Sequence, residues 1–162
     1  MAFQTFALDR VPLAIAYFVA ATVAVVLTRF DGGVAFLWLA TPLLIADLIT
    51  RPRRQWLASI VPCAVVSGLA TGLFGLGWAA ALPLSCVNML EAWLAAWLLR
   101  RYGHPQHPLG SLSWLYYFIF SAGLIAPLVA AISVAGTFVV LGQTPIPAFV
   151  NFFTAMPSAT SP

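Results

Sequence analysis

Two polar side chains, Asn88 and Glu91, lie three positions apart inside the apolar run 78–99. Residues at this spacing share one face of a helix, so a helix would present the amide and the carboxyl on the same side. An ionisable side chain at membrane depth costs about 2.5–3.5 kcal/mol and normally faces the helix bundle or water. The pair is therefore a candidate intramembrane site that senses a ligand or a proton. The alternative is a hydrogen-bonded pair that fixes helix packing.

The remaining polar pairs indicate simpler roles. Asp47 precedes Arg51 by four residues, the favourable order for an ion pair at the end of a helix. His104 and His107 are three apart, but two prolines in the same loop prevent the regular helix that a histidine pair needs to hold a metal. No metal site is predicted, and a charge change near neutral pH is the alternative role that the sequence leaves open for these histidines.

The two cysteines, Cys63 and Cys86, lie in separate apolar runs. At 1.5 Å per residue their predicted depths differ by about 9 Å, whereas a disulfide needs Cα atoms within about 7 Å. Both are interpreted as small packing residues. The chain has no lysine for a phosphate-binding loop and no pattern that assembles a nucleophile, a base and an oxyanion hole. Neither an enzyme nor a cofactor is predicted.

The overall composition indicates a membrane protein. Of the 162 residues, 62% are apolar and 7% are charged, against roughly 45–50% and about 25% in a soluble domain. A soluble globule would lack the charge to cover its surface. The excess of basic residues consists of arginines between apolar runs, which is typical of the positive-inside rule rather than of nucleic-acid binding.

The apolar runs predict an all-α, polytopic helical membrane bundle. The first run is longer than the apolar region of a signal peptide and is interpreted as an uncleaved helix. Arg100 and Arg101 are expected to end the fourth apolar run. In the fifth run, Pro127 and Gly136 predict one full helix followed by a bent or partial segment. About six transmembrane segments are predicted, the last incomplete: 11–28, 33–50, 56–77, 78–99, 112–141 and 148–156.

The arginines also predict the orientation. With the N-terminus in the cytoplasm, only Arg29 lies outside, and the reverse orientation would leave only that arginine inside. The N-terminus is therefore predicted to be cytoplasmic. The arginines then on the cytoplasmic side are those at positions 10, 51, 53, 54, 100 and 101.

Small residues predict close contacts between helices. Gly68 and Gly72 form a G-x-x-x-G pattern, and Ala122, Ala126 and Ala130 form a similar stripe in the fifth run. Such stripes let helix backbones approach closely, within the chain or between two chains of a homodimer.

Four stretches carry a more specific pattern. In residues 86–101, an N-x-x-E helix ends in L-L-R-R, and a P-x-x-A-A segment at 127–131 follows about 25 residues later. Together the stretches resemble the membrane-associated sensor domain family, the first of the MASE-type domains, over about residues 10–150. They are 36–40 (FLWLA), 51–56 (RPRRQW), 86–101 (CVNMLEAWLAAWLLRR) and 126–131 (APLVAA).

The resemblance implies a bacterial inner-membrane sensory module that precedes a cytoplasmic output domain: a diguanylate cyclase (GGDEF), a cyclic-di-GMP phosphodiesterase (EAL) or a histidine kinase. Asn88, Glu91 and Pro127 match the family's motif, and Trp38 matches it more loosely. The family's final helices and an output domain are not apparent in this sequence. We therefore expect a sensor-like domain over 1–156, truncated or stand-alone, and a short polar tail over 157–162.

Two hypotheses from different classes follow. The first is a sensory signal-input domain without its own catalytic output, with Asn88 and Glu91 at the polar point that distinguishes its states. The second is a small-molecule-binding membrane subunit of a transporter. The expected partners are the lipid bilayer, a second copy in a possible homodimer and a signal that the sequence does not identify.

Overall fold

The computed structural model describes residues 10–28, 39–75, 77–102 and 112–140. No strand occurs in these residues, and the predicted all-α class is confirmed. Trp38, His104, His107 and the predicted sixth segment lie outside the described residues. The helices are α1 (Val11–Thr28), α2 (Ala40–Thr50), α3 (Trp56–Phe74), α4 (Trp78–Tyr102), α5 (Leu112–Phe120) and α6 (Ala126–Val140), with a 3₁₀ turn at Arg53–Gln55 and a π-helical turn at Ser121–Ile125.

Three helical stretches are long and apolar enough to cross a membrane: Arg53–Phe74, Trp78–Tyr102 and Leu115–Gly136. The α1 and α2 helices are shorter but also apolar. With 11 residues, α2 is about 17 Å long, roughly half of a hydrocarbon core of about 30 Å. The chain is therefore a helical membrane bundle, as predicted.

Helix α4 lies at the centre of the bundle. It packs against α2, α3 and α6, and α1 packs against α2 and α3. Lipid tails are as apolar as leucine, so close backbone packing rather than hydrophobic burial holds such helices together. The buried face of α4 suits this packing because most of its residues are small: Ala80, Ala81, Ser85, Ala92, Ala95 and Ala96.

Two local expectations were wrong. The prediction that Arg100 and Arg101 end the fourth helix is corrected, because α4 continues to Tyr102. Arginine is a good helix former, and its charge is favourable near a helix C-terminus. The second correction concerns the cysteines. Both are free, but only Cys63 is buried, whereas Cys86 lies on the exposed surface of the bundle.

The fifth predicted segment stays helical to its described end instead of breaking into a partial segment. Pro127 has no N–H group, and its ring would collide with the carbonyl of Gly123 in a regular α-helix. The wider turn at Ser121–Ile125 precedes this proline, and the Ala126 N–H bonds to the carbonyl of Ser121, five residues back. The π-helical turn thus accommodates Pro127 without ending the helix.

Candidate functional site

The candidate residue Asn88 connects α4 to α3. Its Nδ2 donates a hydrogen bond of 3.2 Å to Oγ of Ser67. Ser67 is fully buried and lies eleven residues into α3, which is about 17 Å from the start of that helix. The contact therefore lies near the middle of a helix that is long and apolar enough to cross a membrane. In such surroundings few other groups replace a lost hydrogen bond.

The candidate residue Glu91 connects α4 to α2. Its half-buried carboxyl interacts with the hydroxyl of Thr41 at the beginning of α2. The Thr41 side chain is only 4% exposed, yet its Oγ1 makes no well-formed hydrogen bond among the described residues. A buried polar group without a partner costs about 1–3 kcal/mol. This contact is therefore looser than the one between Asn88 and Ser67.

The two α4 side chains thus reach different neighbours. The sequence predicts a shared helix face, and the structure sends the Asn88 amide to α3 and the Glu91 carboxyl to α2. As a result, these two residues of the central helix make polar contacts with two different adjacent helices, separated by about one helical turn.

The glycines of α3 face the beginning of α4. A Cβ atom at Gly68 would lie 3.3 Å from Ser85 Oγ, and one at Gly72 would lie 2.6 Å from the Trp78 ring. The Ser85 hydroxyl donates to the carbonyl of Ala81 at 2.6 Å. A side chain at Gly68 would therefore require Ser85 to shift slightly, and one at Gly72 would require the Trp78 ring to move.

A second polar cluster lies at the arginine-rich end of the bundle. The predicted ion pair between Asp47 and Arg51 is confirmed, with Nε 2.5 Å from Oδ1. The same carboxylate accepts a 2.6 Å hydrogen bond from Ser59 Oγ on its other oxygen and lies 3.9 Å from Nη1 of Arg10. Arg10 also donates a 3.1 Å hydrogen bond to Gln55 Oε1. Asp47 thus holds groups from α3 and from the start of α1 against α2.

Trp56 completes this cluster. Its indole Nε1 donates to the carbonyls of Leu48 at 2.8 Å and of Arg51 at 3.3 Å. Arg100 from α4 donates to the same Arg51 carbonyl, and its guanidinium lies 5.8 Å from the Trp56 ring centroid. These donors satisfy carbonyls that the end of α2 would otherwise leave unpaired. The C-terminal end of α2 is therefore fixed to both α3 and α4.

Comparison with known protein families matches residues 10–158 to MASE1. The chain belongs to the MASE1 family. MASE1 domains are sensory input domains of membrane proteins and are not catalytic. No curated protein and no solved structure matches the chain. The matched region contains every helix and every polar contact described above.

The other family-motif residues of this MASE1 domain have separate positions. Pro127 lies half-buried just after the π-helical turn, in helix α6, which packs against α4. Trp38 lies outside the described residues. No three metal-ligating side chains converge within the described part of the chain.

Proposed function

We propose that the contact between Glu91 and Thr41 is the switch point of this sensory input domain. The observation that carries the proposal is the buried Thr41 hydroxyl, which lies beside the Glu91 carboxyl but makes no well-formed hydrogen bond among the described residues. A ligand or a rearrangement that supplies the missing bond would be favoured over the present packing. A signal with different affinity for the two arrangements would then shift their populations.

The geometry of α2 supports a way to transmit such a shift. Its C-terminal end is fixed by Asp47 and by Trp56, whereas the hydroxyl of Thr41, about 9 Å from Asp47 along the helix, makes no well-formed hydrogen bond among the described residues. A change at Thr41 would tilt α2 about its fixed end. Because α4 carries both Glu91 and Arg100, this tilt would reach the arginine-rich end through the central helix.

We propose that the arginine-rich end faces the cytoplasm of a bacterial cell. Hydrogen bonds join Arg10 to Gln55 and Arg100 to the carbonyl of Arg51, so arginines that are distant in sequence gather at one end of the bundle. The positive-inside rule assigns such an end to the cytoplasmic side of the inner membrane. An output domain of the kinds that the family resemblance implies would read the position of α4 on that side.

The substitution Glu91→Gln tests the proposal. Glutamine keeps the size of the side chain but cannot ionise. The balance between the present packing and the arrangement in which the Thr41 hydroxyl gains a hydrogen bond therefore changes. With the chain fused ahead of a diguanylate cyclase domain, we expect the output per inserted molecule to change by about 5- to 150-fold, the usual range of coupling between sites. The measurement is cyclic-di-GMP in cells, normalised to the protein in the membrane fraction.

The adjacent residue provides the control. Leu90 is 41% exposed, so Leu90→Met should leave the output at the wild-type level. Equal output from wild type and Glu91→Gln, at equal membrane levels, would refute the proposal.

A further inference from the structure

An apolar groove runs between α1 and α3 on the outer surface of the bundle. Its volume is about 420 Å³, and its lining comprises Val11, Ala14, Ile15, Phe18, Pro62, Val66, Leu69 and, at one end, Arg10. Volumes of about 300–1,000 Å³ are typical of small-molecule sites. The groove follows α1 for about 12 Å from Arg10 to Phe18, along the direction that a lipid chain takes in a bilayer.

Arg10 gives this groove a charged end. Its side chain is 3% exposed, yet Nε and Nη1 have no hydrogen-bond partner among the described residues. Among the described residues, the nearest carboxylate is that of Asp47, which lies 3.9 Å from Arg10 but only 2.5 Å from Arg51. Two cations therefore share one carboxylate, and the Nε and Nη1 groups of the buried Arg10 guanidinium make no hydrogen bond among the described residues.

We propose that the groove binds an anionic phospholipid from the bilayer, with an acyl chain between α1 and α3 and the headgroup phosphate on the guanidinium of Arg10. A guanidinium binds a phosphate through paired N–H donors, and the arginine-rich end adds favourable charge around it. The start of α1 lies at the same end, where the helix dipole also favours an anion. The groove lies between α1 and α3, whereas the contact between Glu91 and Thr41 joins α4 to α2, and the proposal does not depend on the switch.

Native mass spectrometry of the detergent-purified chain tests the proposal. It compares the binding of dioleoyl phosphatidylglycerol with the binding of dioleoyl phosphatidylcholine. The two lipids have the same acyl chains and differ in headgroup charge. We expect phosphatidylglycerol to bind at least about tenfold more tightly, and Arg10→Gln to abolish this preference. Equal binding of the two lipids by the wild-type chain would overturn the proposal.

Neighbouring residues provide matched controls. Arg54 is an exposed arginine at the same end, so Arg54→Gln should keep the preference that Arg10→Gln loses. Val66 lines the groove, whereas the adjacent Val65 is 59% exposed outside it. Val66→Trp should therefore weaken binding of phosphatidylglycerol, and Val65→Trp should not. If Arg10→Gln fails to fold, the two tryptophan variants decide the question, and equal binding by them would contradict the proposal.

Discussion

Asparagine in place of Asp47 is expected to lower the free energy of unfolding by about 3–5 kcal/mol. The reason is the environment of Arg10, which is 3% exposed and has Asp47 as its nearest carboxylate among the described residues. Removing the anion leaves a buried cation uncompensated, and it also weakens the hydrogen bond from Ser59. The loss can be measured by reversible unfolding in mixed micelles with increasing dodecyl sulfate.

The partner variant Arg51→Gln should cost much less, under about 1 kcal/mol. Arg51 is 33% exposed, and its removal leaves Asp47 with both Arg10 and Ser59 as partners. The prediction is therefore that Asp47→Asn lowers the free energy of unfolding by more than Arg51→Gln does. Equal losses would show that Asp47 does not hold a buried charge in place.

Alanine in place of Trp56 is expected to cost about 3–5 kcal/mol, the range for deletion of a large buried aromatic side chain. Trp56 is 4% exposed and fills the space between the end of α2 and the beginning of α3. The neighbouring Leu57 is 72% exposed, so Leu57→Ala serves as the control and should change the unfolding free energy by under about 0.5 kcal/mol.

Phenylalanine at position 56 separates the hydrogen bond from the packing. The ring remains, but the carbonyls of Leu48 and Arg51 lose the indole N–H that they share. We expect a loss of about 1–3 kcal/mol, smaller than that of Trp56→Ala. If Trp56→Phe is as stable as the wild type in the same unfolding assay, the indole N–H does not fix the end of α2.

The helices and one local pair could be predicted from the sequence because their causes are local. Uncharged runs and the arginines that flank them indicate the helical segments, and a separation of four residues places Asp47 beside Arg51. The extension of α4 to Tyr102 was missed because charged residues were taken as the end of a span. A helix can continue beyond the hydrocarbon core when its charged side chains reach the interface.

The contacts between helices could not be predicted in the same way. Thr41 and Glu91 are 50 positions apart, and Ser67 and Asn88 are 21 positions apart. A soluble helix reveals its buried face through an apolar stripe, but these helices are apolar on nearly every side. Their buried faces depend on small residues and on shape, so nothing in the sequence distinguishes Thr41 or Arg10 as a buried group that faces a particular partner.

A double-mutant cycle on the fused cyclase output tests the central claim most directly, using Thr41→Val, Glu91→Gln and the two changes together. If the two side chains act through one contact, removing the second partner after the first adds little. The double variant should then give the output of the stronger single variant to within about twofold. Output changes that multiply would contradict the claim and would show that Thr41 and Glu91 act independently.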